Sequence, residues 1–160
     1  MRNLLRNRKG SGKIIALVLI IIVVFALVSL AIYYYYAYNN LTFNLNQVRL
    51  GEVSSNSLTL NVQIAINNTY LLPVYIPSGS FTLYLNDQRL GTGTFNSITV
   101  GGNNQGIVTV PVTINAADVP SAAFGVLTGG GTVTLTVQGS ANLVVFSVPF
   151  NATLYNAQLT

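Results

Sequence analysis

Cysteine and histidine are absent from this chain, and only 6 % of its residues carry charge. Without cysteine no disulfide can staple the fold, so packing and backbone hydrogen bonds must hold it in whatever compartment it occupies. The lack of histidine as well removes the usual nucleophile–base pairs and the usual zinc ligands. Three acids remain, Glu52, Asp87 and Asp118, and they fall in separate turns or at a helix start. Neither a paired-carboxylate site nor a calcium cage is expected from them. Gly129-Gly130-Gly131 lacks the Lys-Ser/Thr that completes a phosphate loop. No catalytic residue, metal site or cofactor is therefore expected. Hyperstable proteins generally carry more ion pairs, not fewer. One hypothesis for the deficit is an acidic exterior, where protonated carboxylates make ion pairs worth little, and its test is the pH dependence of unfolding.

What the chain has in abundance is one apolar run. Ile14 to Ile32 contains a single polar side chain, Ser29. As a helix it is roughly 28 Å long, close to the roughly 30 Å of a bilayer hydrocarbon core. Arg2, Arg6, Arg8, Lys9 and Lys13 precede it without an acid, and Tyr33, Tyr34, Tyr35, Tyr36 and Tyr38 follow where an interfacial aromatic belt would sit. The pattern predicts a basic cytoplasmic tail over residues 1–13 that meets lipid head groups. A transmembrane helix with its tyrosine belt follows over 14–38, and an extracytoplasmic domain over 39–160. The lipid bilayer is thus the predicted partner of a single-pass cell-membrane protein. A soluble core helix of this length would show a polar face.

The net charge of +4 is a topology signal and not a nucleic-acid footprint. Beyond Asn39 only Arg49 and Arg89 stand against the three acids, so that part is slightly negative. The apolar run exceeds the roughly 7–15 residues of a secretory signal core, and no small-residue cleavage site follows it. Lys9-Gly10-Ser11 superficially resembles a prepilin-type processing site, although Lys13 interrupts the apolar helix that should begin at once. A pilin-like filament subunit processed near Gly10, or an accessory subunit with a cell-envelope protein partner, are the alternative readings.

After Asn39-Asn40, which is expected to end the helix, the period changes to two. Leu41, Phe43 and Leu45 alternate with polar residues, and a bulge before Val48 would restore the phase. Leu58, Leu60, Val62, Ile64 and Ile66 share one strand face. Leu72-Pro73-Val74 reads as an edge segment and Pro111 as an edge or bulge position, because proline cannot donate to a ladder. Asn86-Asp87-Gln88 reads as a hairpin turn. Asn115 is a candidate cap for a short helix from about Ala116 to Leu127, broken near Pro120, with Val119, Ala123, Val126 and Leu127 inward. Val133, Leu135 and Val137, then Phe146, Val148, Phe150 and Leu154, complete about seven strands, with a phase break near Asn151-Ala152. Short strands at this spacing predict an all-β antiparallel sandwich.

Ile66-Asn67-Asn68-Thr69 followed by Leu72-Pro73-Val74 resembles the signature of the late embryogenesis abundant type 2, or water-stress and hypersensitive-response, domain. There a strand ends in Asn-Pro-Asn and a Pro-Val pair follows. Gly91-Thr92-Gly93, Val110-Pro111-Val112, Val133–Gly139 and Val148-Pro149-Phe150 match later parts of that family in order. The resemblance covers roughly residues 41–155. It implies an immunoglobulin- or fibronectin-III-like sandwich with one helix, no established catalysis, and a link to desiccation and stress tolerance. It marks Asn67, Asn68 and Pro73 as the signature turn, with Asn68 standing where the family has proline. Asn40, Asn67 and Asn151 each open an N-glycosylation sequon, a number that chance alone produces in so Asn- and Thr-rich a chain. An outward-facing domain is what would make them usable, Asn67 foremost.

Overall fold

The computed structural model describes residues 11–129, 132–144 and 146–158. The chain divides into two compact units, Met1–Tyr36 and Ala37–Thr160.

Helix α1 spans Ser11–Asn40. Between Ile14 and Asn40 there is neither proline nor glycine to break it, and its mean hydropathy reaches 3.4 with none of that apolar window buried. Ser29, the one polar side chain of the apolar run, donates its hydroxyl to the Phe25 carbonyl at 2.8 Å. That bond keeps the polar group satisfied without water, as a lipid environment demands. The helix ends at the Asn39-Asn40 pair, as expected. It runs through both, and strand β1 starts at the next residue.

Seven antiparallel strands follow: β1 Leu41–Val53, β2 Ser57–Asn68, β3 Val74–Leu85, β4 Gln88–Val100, β5 Asn104–Asn115, β6 Thr132–Asn142 and β7 Ser147–Gln158. They form a three-stranded sheet ordered β1-β2-β5 and a four-stranded sheet ordered β4-β3-β6-β7. Lettered A to G, this is the immunoglobulin-like Greek key with the fourth strand moved from the ABE sheet to the CFG sheet. The sandwich expected from the strand spacing is the one observed.

The core follows from the alternation. Leu58, Leu60, Val62, Ile64 and Ile66 are fully buried. Each such side chain contributes about 1.5–3 kcal/mol relative to exposure. In β1 the register shifts between Leu45 and Gln47, and the bulge at Asn46 turns Val48 inward. Phe43 and Phe150 stack with ring centroids 4.5 Å apart and bring β1 against β7. In the other sheet Phe81 lies over Gly93 and Phe95 over Gly79, each its cross-strand partner. A Cβ at either glycine would fall within the ring.

The turn between β3 and β4 is the two residues Asn86-Asp87, at φ 46° and 68°. This is the left-handed pair that a tight hairpin requires and that Asn and Asp tolerate best. Pro111 sits in β5, an edge strand, as its missing N–H demands.

Four expectations need correction. Pro73 does not lie in an edge strand. It ends a loop, and β3, which starts at Val74, is flanked by β4 and β6. Asn115 makes no side-chain cap. A 3-10 turn, Ala116–Asp118, follows it, and Asn115 Nδ2 donates to Asp118 Oδ2 at 3.0 Å. Helix α2 is only Ser121–Thr128. Val119 and Leu127 are buried but Val126 is exposed, because two turns of helix offer only a narrow inward stripe; the Ala123 side chain lies outside the described set. Finally, β7 keeps its phase through Val148, Phe150 and Ala152. It breaks only near Asn156 (φ 53°), where the register against β6 slips between Val133 and Leu135.

Candidate functional site

The residues singled out by the signature converge at one end of the sandwich, the end that carries Asn40. Strands alternate in direction, so this near end collects the start of β1, the β2–β3 loop, the β4–β5 turn and the β6–β7 loop.

At its centre is Asn68, the one buried polar side chain among the described residues, 1 % exposed. Its Oδ1 accepts the Tyr70 N–H at 3.0 Å, an Asx turn that reverses the chain after β2. Its Nδ2 donates to the carbonyls of Leu72 at 2.8 Å, Gly101 at 3.0 Å and Val100 at 3.3 Å. One amide therefore closes its own loop and ties that loop to the end of β4. The turn after β2 is thus fixed by a hydrogen-bonded side chain. The Asn103 N–H donates to the Tyr70 carbonyl at 2.8 Å from a left-handed conformation, φ 50°. Gly102 meets the Leu71 carbonyl so closely that a Cβ there has no room.

Thr69 makes the third connection. Its N–H donates to the Asn40 carbonyl at 3.0 Å, and its hydroxyl lies 3.1 Å from Asn40 Oδ1. Asn67 points the other way from Asn68, as the period of two requires. It is half-buried, and its Oδ1 accepts from Gln105 Nε2 at 2.9 Å. Thr42, Asn67, Asn68, Thr69, Asn103, Asn104 and Gln105 line a neutral, polar groove of about 510 Å³. Its donors and acceptors are amides and hydroxyls, suited to hydrogen bonding and holding no group that could act as an acid or base near neutrality.

Of the other candidates, Pro73 is exposed and stands just before β3. Asn40 and Asn67 are thus brought to the same end, while Asn151 lies apart, exposed on β7, an edge strand, opposite Gln138. Arg2, Arg6, Arg8 and Lys9 lie outside the described residues, as does the prepilin-like Lys9-Gly10 pair. Lys13 is within α1 but its side chain is not among those described. Among the described residues no group of three or more His, Cys, Asp or Glu side chains is arranged to hold a metal. Sequence reading missed the Gly101–Asn103 turn as the partner of Asn68. The Gly-Gly-Asn-Asn run signalled a turn there, but not what it touches.

Comparison with known proteins places these observations. The family model described as late embryogenesis abundant protein matches residues 63–154, more than half the chain. No curated protein sequence matches. Among solved structures, the solution structure of a protein from Arabidopsis thaliana is similar at a TM-score of 0.57 and 18 % identity, over 74 % of this chain and 82 % of that one. A crystal structure of a protein from Archaeoglobus fulgidus is similar at a TM-score of 0.42 and 14 % identity, over 72 % of this chain and all of that one. A glycoside hydrolase family 2 β-glucuronidase is similar at a TM-score of 0.47 and 12 % identity, over 71 % of this chain but only 12 % of that one.

Proposed function

Because the chain belongs to the late embryogenesis abundant family, we propose that it is a non-catalytic sandwich anchored in the cell membrane and facing outward. There it serves binding, envelope support or protection against water stress. The observation that carries the reading is α1, a helix apolar on every side and without a buried residue in its apolar window. In water such a surface is unsustainable, whereas a bilayer covers it completely. The basic residues before it favour a cytoplasmic N-terminus. The chemistry of the near end supports the non-catalytic part. Its polar groups are neutral, and the most deeply buried one is consumed in holding loops together.

The test is the intact mass of the protein purified from its native membranes. The full 17.1 kDa chain, alone or with glycan increments on Asn40, Asn67 or Asn151, is the expected result. Loss of the first nine or ten residues would replace the anchor by the pilin-like filament subunit, whose apolar helix would pack in a filament core. Co-purification of a stoichiometric envelope protein after mild detergent extraction would identify the accessory-subunit reading instead.

A further inference from the structure

The near end is charge-free. No Asp, Glu, Lys or Arg occurs in the stretches that build it, residues 37–44, 64–76, 98–108 and 140–150. All five charged side chains beyond residue 37 (Arg49, Glu52, Asp87, Arg89 and Asp118) stand toward the other end. The near end also carries large apolar side chains at its loop tips. Leu71 is 74 % exposed and Leu72 46 % in the β2–β3 loop, and Val144 is 66 % exposed in the β6–β7 loop. The first of these loops is fixed by Asn68 and Gly102, and beside Val144 the Leu143 N–H donates to the Phe146 carbonyl at 2.8 Å.

We infer that this end is a lipid-docking surface, with Leu71, Leu72 and Val144 seated in the head-group layer of the bilayer that α1 enters. The inference rests on the anchored reading above and adds to it a second contact of the sandwich with the membrane. A bilayer suits this surface better than a protein partner on three counts. The apolar tips come from separate loops with polar side chains between them, as an interface of mixed head groups and acyl carbons accommodates. The absence of charge spares the desolvation that a carboxylate or ammonium would suffer there. Reach is also sufficient. Asn40 comes eight positions after Ile32, at most about 12 Å of helix. The β2–β3 loop is hydrogen-bonded to Asn40 itself.

The absence of native cysteine makes the test direct. Leu71→Cys, Val144→Cys, Asp87→Cys and Phe25→Cys are each labelled with an environment-sensitive nitrobenzoxadiazole fluorophore. The full chain is reconstituted in phosphatidylcholine–phosphatidylglycerol vesicles, and emission is read with and without nitroxide-bearing lipids. The expected result is blue-shifted emission, quenched by head-group nitroxides, at positions 71 and 144, with position 87 aqueous and unquenched. Position 25 should be quenched by acyl-chain nitroxides. Aqueous spectra at 71 and 144 with position 25 still in lipid would overturn the docking surface and leave the anchor standing. An aqueous position 25 would overturn the anchor and the inference together. If Leu71→Cys lowers the melting temperature, Leu72→Cys replaces it with the same expectation.

Discussion

The two ends of the sandwich are built from the same seven strands by opposite means. At the near end loops are fixed by long-range hydrogen bonds from one buried amide, and no charge is present. At the far end the side-chain devices are local, and the long-range ties are backbone to backbone: the Asn86 N–H donates to the Thr134 carbonyl at 3.1 Å and the Ala116 N–H to the Asn56 carbonyl at 2.9 Å. Asn86-Asp87 forms a two-residue turn, Ser54 and Ser57 close the β1–β2 turn through each other at 2.8 Å, and Asn115 pairs with Asp118 three residues on. A groove of about 510 Å³ there is lined by Arg89 and Asp118 among others. A local turn can be varied with little consequence elsewhere, whereas Asn68 joins pieces 33 residues apart in the chain. A buried side chain thus carries the long-range ties at the end next to α1 in sequence, and backbone groups carry them at the other.

The largest effect should come from Asn68. Asn68→Asp replaces a double donor by an acceptor facing the carbonyls of Leu72, Val100 and Gly101, and Asn68→Ala leaves those groups unpaired. Each buried orphan costs about 1–3 kcal/mol, so urea unfolding in detergent should show a loss of about 3 kcal/mol or more, with the Asp variant the weaker of the two. Equal stability of both variants to wild type would erase the contrast between the ends. Gly102→Ala should follow, losing about 1–3 kcal/mol in the same assay as the Leu71 carbonyl is pushed away. At the far end the sign reverses. Asp87→Gly relieves a left-handed residue and should raise stability by roughly 0.5 kcal/mol, read as a small rise in melting temperature.

The smallest effect should be that of pH. Glu52, Asp87 and Asp118 are all exposed, and no histidine is present to titrate near neutrality. With so few groups to link protons to unfolding, the urea midpoint should move little between about pH 7 and pH 3. A steep loss across that window would refute the idea that charge scarcity suits an acidic exterior.

Most of the far end is legible in the sequence, because its side-chain devices are local. The left-handed pair Asn86-Asp87 announces itself between two alternating runs, and the alternation of β2 places Leu58 through Ile66 in the core without reference to any neighbour. The near end was less legible. Asn68 lies on the apolar phase of β2, two residues after Ile66, yet what rewards its burial is a set of carbonyls from another strand and another turn. Pro73 looked like an edge signal because proline reports only a missing donor, and strand order decides whether that donor is needed. Val126 faces outward against its pattern because a helix of two turns has too few residues for its period to define a face. The exposed Leu71 and Val144 leave no signal in the sequence, since an apolar residue in a loop acquires meaning only when the topology shows which loops share an end.

The passage from α1 to β1 without an intervening linker has a mechanical consequence. β1 leaves the sandwich along its own axis at Leu41, held to β2 from Leu41–Asn68 to Val53–Leu58 by bonds that run across the strands. A tug on Asn40 away from the sheet therefore loads those rungs in shear, all together, and not one after another as in unzipping. The far tip of β7 lies at the opposite end, so traction between the two termini of the sandwich would meet its strands lengthwise. A domain loaded this way resists extension by shear between whole strands, not by opening rung after rung.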